Sequence, residues 1–311
     1  MESKRKTLAL LVAAMVGSWV PASFAAQSLP PPPSGQTPQT TPPPHPTHAL
    51  LAQAIGLVES HRSIAGRIWQ HVELFGKQLE GTGIYLEQRS EEGLQLRLEL
   101  RFPLDGEPCL LLQVCNGRYL WKYEKFGGTA KLGRIDTLRV LQAIDERGGL
   151  AGAGNLQPWP GWGGIARLLR ALDRDFDFAA PQAAQLPGGF PTLRIEGRWK
   201  PDRLAALGPE CKGQGGQGRA GDPSALPPQL PHRVVLHLGR DDLFPYRIEF
   251  RRSRGSGRGA TPDGDIPIAV MELREVVFNV PIGREQFHYD PGTLEYTEQT
   301  DRFLESLGIG R

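Results

Sequence analysis

The hydrophobic positions change period at Gly81. Before it, Leu51, Ala54, Ile55, Val58, Ile64, Ile68, Val72 and Phe75 recur at steps of three and four, so Leu50 to Leu79 is predicted as helix, with Ser60 and Ser63 marking a break into two pieces. After it the period is two. Thr82 to Arg89 is one predicted strand, and LQLRLELRF (Leu94 to Phe102) alternates almost without fault, with Leu94, Leu96, Leu98, Leu100 and Phe102 on one face. Gln95, Arg97, Glu99 and Arg101 form its other face. Helical spacing returns over Arg134 to Arg147 and over Gly163 to Asp173, where Ile165, Leu168, Leu169 and Leu172 make a stripe. Strands resume at Thr192 to Lys200, Arg233 to Gly239, Tyr246 to Arg252 and Ile268 to Asn279. Gly239-Arg240-Asp241-Asp242 turns between the second and third of these, and a short helix around Thr300 to Leu307 ends the chain. The pattern is that of an α+β domain with one continuous antiparallel sheet, apolar on one face and polar on the other.

The most informative stretch is Cys109 to Glu124, CLLLQVCNGRYLWKYE. Asn116-Gly117 favours a two-residue turn, because both residues tolerate positive φ. That turn pairs Cys115 with Arg118, Val114 with Tyr119, Leu112 with Trp121 and Leu110 with Tyr123, and puts the last six residues on one greasy, aromatic face. Such a face is either plain core or the wall of a ligand cavity.

The N-terminus changes the picture of where this domain works. Lys4, Arg5 and Lys6 precede an apolar run from Leu8 to Val20, and Ser23-Phe24-Ala25 supplies the small residues of a cleavage site. Residues 1–25 are therefore predicted as a secretory signal peptide, the run being too short to span a bilayer, and the chain as periplasmic. Residues 26–47, rich in Pro, Ser, Thr and Gln, form either an extended polyproline-type spacer or a disordered tail, leaving 48–311 as the domain. Two Gly/Pro-rich insertions, near 209–231 and 253–265, are expected to be disordered surface loops. Removing Glu2, Lys4, Arg5 and Lys6 from 34 acidic and 36 basic residues leaves 33 of each, so the exported chain is near neutral and shows no sign of a nucleic-acid binder.

Candidate chemistry is sparse. Cys109 and Cys115 lie on one strand face about 20 Å apart, at a rise of ~3.3 Å per residue, and cannot bridge each other. Cys211 could bridge one of them or stay free. No Cys-x-x-Cys or Cys/His spacing marks a metal, no GxxxxGK[ST] marks a nucleotide, and no GxSxG, HExxH or SxxK marks an enzyme. Asp173, Asp175 and Asp177 resemble a carboxylate site, but Phe176 and Phe178 alternate with them, so the simpler reading is a short edge strand with a wet face. Among the histidines, only His232 and His237 fall on one strand, with opposite orientation. Trp159 and Trp162, set among glycines and prolines, are either a mobile lid or plugs on the domain's rim.

Three patches resemble one family, the LolA/LolB-like periplasmic lipoprotein carriers. They are Gly81-x-Gly83 with Tyr85 through Arg89 followed by Asn116-Gly117-x-x-Leu120-Trp121-x-Tyr123, then Leu238-Gly239-Arg240-Asp241-Asp242, and finally Val277-Phe278-Asn279-Val280-Pro281-Ile282 with Phe287-x-Tyr289-x-Pro291-Gly292. The resemblance implies a strongly curved antiparallel sheet, an incomplete barrel, with helices covering its concave face and a cavity sheltering acyl chains. It implies that Tyr85, Arg89, Leu110, Leu112, Tyr119, Trp121, Tyr123 and Trp199 line that cavity, Arg89 as the gating base, although Ser90 stands where the family carries a proline. The expected function is a monomeric, non-enzymatic carrier of lipid or lipoprotein acyl groups, needing no cofactor. The other reading is an envelope scaffold acting through protein contacts, with membrane-associated envelope proteins as partners.

Overall fold

The computed structural model describes residues 46–74, 77–146, 163–206, 226, 230–253 and 265–309. Helix α1 (Pro46–Ser60) leads into a run of six strands, β1 (Ser63–Leu74), β2 (Lys77–Ser90), β3 (Gly93–Leu104), β4 (Glu107–Asn116), β5 (Tyr119–Phe126) and β6 (Thr129–Asp136). Helices α2 (Thr137–Asp145) and α3 (Gly164–Asp175) follow, then β7 (Phe176–Phe178), β8 (Gln182–Leu186), β9 (Phe190–Trp199) and α4 (Pro201–Ala206). The chain closes with β10 (Arg233–Gly239), β11 (Pro245–Ser253), β12 (Asp265–Phe278), a 3-10 turn (Arg284–Phe287), β13 (Thr297–Glu298) and α5 (Thr300–Ser306).

All the strands belong to one curved sheet of order β13-β6-β5-β4-β3-β2-β1-β12-β11-β10-β9-β7, with β8 also on β9; it does not close into a barrel. Every pairing is antiparallel except β13 with β6. The helices cover the concave face. There Leu51, Ala54 and Val58 of α1, Val140 and Ile144 of α2, and Ile165, Leu168, Leu169 and Leu172 of α3 join Ile64, Ile68, Leu96, Leu98, Leu100, Ile195, Leu236 and Ile248 in one core. Side-chain alternation then fixes the polar residues between them on the outer face.

The helix expected over Leu50 to Leu79 is corrected: it stops at Ser60, and Ser63–Leu74 is strand β1, hydrogen-bonded to β2 and β12. Ile64, Ile68 and Val72 are spaced by four, which suits one face of a helix and one face of a strand equally. Pairing on both edges decides between them. The helix expected over Arg134 to Arg147 likewise begins only at Thr137, because Arg134–Asp136 pair with β5 as the end of β6. Asp136 caps that helix, its side chain accepting from Arg139 N at 3.1 Å.

The hairpin register is also shifted. Cys115 pairs with Leu120, Val114 with Trp121 and Leu112 with Tyr123. Asn116 Oδ1 accepts from the backbone N–H groups of Arg118 (3.0 Å) and Tyr119 (2.8 Å), while Gly117 sits at φ +97°. The side-chain hydrogen bonds hold a wider loop than the two-residue turn. The slip is by two residues, so every side chain keeps its face.

The C-terminal segment passes from one face of the sheet to the other. Its 3-10 turn lies on the outer face, where Arg97 Nη1 donates to Gln286 O at 3.3 Å and Phe287 is 1% exposed. Strand β13 runs along the β6 edge, and Leu304, Leu307 and Ile309 then enter the concave core.

Candidate functional site

The concave face is mostly apolar, with polar side chains contributed by Gln113 on β4, by Lys122 and Glu124 on β5 and by a stripe on β2. Tyr85, Glu87 and Arg89 alternate inward there, Tyr85 opposite Leu98 and Glu87 opposite Leu96. Tyr85 is fully buried and its hydroxyl donates to Glu87 Oε2. The backbone N–H of Ile165, in the first turn of α3, donates to the same oxygen at 3.1 Å. Arg89 Nη2 lies 3.6 Å from Glu87 Oε1, with the Arg89 side chain 37% exposed. Burial pushes the Glu87 carboxyl above its ordinary range, against the pull of these three partners, and holds the Tyr85 phenol well above its own.

Glycine makes this contact possible. Gly163 and Gly164 enter the helix at φ +85° and +71°, and a Cβ on Gly164 would stand 2.3 Å from Glu87 Oε2. The carboxylate can thus reach the N-terminal end of α3, where free N–H groups and the helix dipole favour an anion. We call this contact the latch. Elsewhere α3 meets α1 through Arg170 Nη2 and Glu59 Oε2 at 2.5 Å, and through His48 Nδ1 and Asp173 Oδ1 at 2.7 Å. Arg167, buried near Arg174 and Arg170, has its guanidinium brought down to about 9, mainly by burial.

The expected cavity wall divides between the two faces. Tyr85, Arg89 and Trp199 are on the concave side with the helices. Leu110, Leu112, Tyr119, Trp121 and Tyr123 are on the outer side, because their strand neighbours Cys109, Leu111, Cys115 and Leu120 are the ones packed in the concave core. The expectation that these five line the space under the helices is corrected. Greasiness alone did not tell inside from outside, since the chain covers this outer face too. Trp121 packs against Tyr289 (5.6 Å between centroids) and Tyr296 (5.1 Å), and Tyr123 against Tyr289 (6.5 Å). Arg134 lies over the rings of Tyr119, Trp121 and Tyr296 and bonds Glu298 Oε2 at 3.0 Å. Trp199 is a rim residue, its ring tilted against Phe176 at 4.4 Å between centroids and its Nε1 donating to Pro231 O at 2.8 Å.

Trp159, Trp162, Cys211, the N-terminal segment to residue 45 and most of both insertions lie outside the described residues. Cys109 and Cys115 are free, buried thiols, each pushed up by burial. Asp173 and Asp175 end α3 rather than joining an edge strand, and Asp177 alone is on β7. Among the described residues no three His, Cys, Asp or Glu converge as a metal site, and no helix is long and apolar enough to cross a membrane. The sequence reading missed Glu87. Its signal was parity: a carboxylate two residues from Tyr85 shares the inward face of a strand.

No family model and no curated protein sequence matches the chain. Among solved structures it is similar to MucB, at 13% identity and a TM-score of 0.40, over 79% of this chain and 64% of MucB. The chain thus spans less than two thirds of that protein. It is also similar to the Mycobacterium tuberculosis lipoprotein LppX, at 12% identity and a TM-score of 0.36, over 76% of this chain and 97% of LppX. A third similar structure is a LolA superfamily protein, NE2245 from Nitrosomonas europaea, at 11% identity and a TM-score of 0.25, over 78% of this chain and 96% of that one. All three likenesses are at 13% identity or less and at TM-scores of 0.40 or less.

Proposed function

We propose that the protein is an exported, non-enzymatic carrier that takes an acyl chain of a lipid or lipoprotein between the concave sheet face and helices α1 and α3. The observation that carries this reading is the layer itself. A largely apolar face is covered by helices whose entry point, the N-terminus of α3, is held by a buried carboxylate as well as by the packing of Ile165 and Ala166. Each acyl methylene taken from water contributes about 0.8 kcal/mol, so a chain of modest length offsets the helix contacts it displaces. Breaking one buried hydrogen bond at the latch costs about 1–3 kcal/mol, a step that binding energy of this size can drive. In this reading Arg89, half-exposed beside Glu87, stands at the mouth as the gating base.

The envelope-scaffold reading has its own observation. Leu294 and Tyr296 are 47% and 42% exposed beside the Trp121 cluster on the outer face, an apolar patch open to a protein partner. Native mass spectrometry with lipid extraction separates the two. The mature chain purified from a periplasm is expected to carry one acyl lipid or lipopeptide, lost when Leu98→Trp fills the concave face and kept when Tyr296→Ser alters the outer one. An apo mass that persists after incubation with envelope lipids overturns the carrier reading.

A further inference from the structure

The far edge of the sheet holds a hollow that the acyl-carrier reading does not use. Strand β9 has two short partners on its free edge, β8 over Phe190–Arg194 and β7 over Gly197–Trp199. Between them the chain steps across at Ala179–Pro181, tied by the N–H of Ala179 donating to Glu196 O at 2.8 Å. Ala179 and Ala180 bring only methyl groups. Above the outer row Arg194, Glu196 and Arg198 this leaves a hollow of about 280 Å³, flanked by Asp177 and Gln182. At roughly 30 Å³ per water that is space for about nine waters, or one small solute.

The charges around it are not equivalent. Glu196 is fully engaged, accepting from Arg194 Nη2 at 2.9 Å and from Arg233 Nη1 at 2.5 Å. Arg233 in turn bonds Asp265, so the floor is a fixed, internally balanced network. Asp177 and Arg198 behave differently. They are directly opposite in register, the position from which opposite charges on neighbouring strands usually pair. They do not pair here. Among the described residues Arg198 makes no ion pair, and the basic side chain that approaches Asp177 is His48, its Nε2 at 4.0 Å and its other ring nitrogen already bonded to Asp173. The hollow is therefore lined, at neighbouring positions, by a carboxylate and by a guanidinium that makes no ion pair among the described residues.

We propose that this hollow binds a small zwitterion, an ammonium next to an anionic group. The anion would sit on Arg198, whose forked donors suit a carboxylate or phosphate, and the ammonium on Asp177, with the Gln182 amide beside it. Two sources share this chemistry: a free α-amino acid and the phosphoethanolamine group of a lipid.

Calorimetric titration of the full mature chain tests it, with alanine and O-phosphoethanolamine as zwitterions and inorganic phosphate and ethanolamine as their halves. One zwitterion is expected to bind at least tenfold more tightly than either half. Loss of a charge-assisted bond in Arg198→Gln or Asp177→Asn should weaken it about tenfold each, while Lys131→Gln, at the opposite edge, leaves it unchanged. Preference for alanine or for phosphoethanolamine names the source. Failure of every probe to bind overturns the proposal, as does equal binding of the halves, or indifference to both substitutions. Extracted lipid should be the same in Arg198→Gln as in the unaltered chain, so failure here and failure of the carrier reading are told apart.

Discussion

Glu87 shows how one side chain can couple two layers at a cost. Its carboxylate is buried with Tyr85 and receives the Ile165 N–H, yet burial still raises its pKa above 4.5. For an acid with a raised folded value, stability is fully present below the unfolded value and is lost as the pH climbs through the folded one. Glu87→Gln keeps an acceptor for both donors and removes the titration. Its urea midpoint should match that of the unaltered chain near pH 4.5 and exceed it increasingly above. Glu87→Ala leaves the Tyr85 hydroxyl unsatisfied in the core and should lose about 1–3 kcal/mol near pH 4.5, a deficit that narrows as the pH rises and the unaltered chain comes to bear the buried charge. If the Gln and Ala variants behave alike across the pH range, the latch is not where the cost lies.

At the scale of elements, α3 is held where it is by what its first residues lack. A methyl group on Gly164 would collide with the Glu87 carboxylate, and the residue's φ of +71° is strained for any side chain. Gly164→Ala is therefore expected to loosen α3 specifically, raising amide exchange over Ile165–Leu172 well before the sheet opens. Unchanged exchange in α3 would refute the account of the latch. The segment from Arg284 to Tyr296 is the matching device on the outer face, anchored by Phe287 and by the tilted contact of Tyr289 and the edge-on contact of Tyr296 with Trp121. Phe287→Ala should cost about 3–5 kcal/mol in chemical denaturation and increase solvent quenching of Trp121 fluorescence.

Across the whole molecule, the outer face of β9 to β12 carries an ion ladder that works against Glu87. Arg251 and Arg247 flank Glu249, Arg247 and Arg274 flank Glu272, and Arg233 joins Glu196 to Asp265. Burial alone would raise the carboxyls of Glu99, Glu196, Glu249 and Glu298. Their arginine partners, with Thr300 also bonding Glu298, outweigh it and hold all four below 4.5. A lowered acid contributes stability above its unfolded value that is lost as the pH falls through the folded one. The denaturation midpoint should accordingly drop steeply below pH 4.5, these four lowered carboxylates outweighing the opposite trend of Glu87; a midpoint that rises on acidification would contradict this. Arg233→Met strands Asp265, whose side chain is 6% exposed, and should cost about 3 kcal/mol, near the lower end for breaking a buried pair because Glu196 keeps Arg194.

What the sequence determined by itself is local periodicity. The alternation of Leu94 to Phe102, the strands from Arg233 onward, the stripe of α3 and the Asn116-Gly117 turn were all legible, because each depends on spacing within one segment. The α+β class followed from them. Three matters were left to the tertiary structure. A spacing of four could not tell helix from strand at Ile64, Ile68 and Val72 until β2 and β12 paired on either side. Alternation defined two faces of the β4–β5 hairpin but not which one meets the helices. The aromatic face turned outward because Cys109, Leu111 and Leu120 meet the core, and the C-terminal segment, more than 150 residues downstream, could still cover Trp121. The latch and the hollow were invisible for the same reason. Glu87 with Ile165, and Asp177 with Arg198, are brought together by strand pairing and helix docking, and no window along the chain contains the contact.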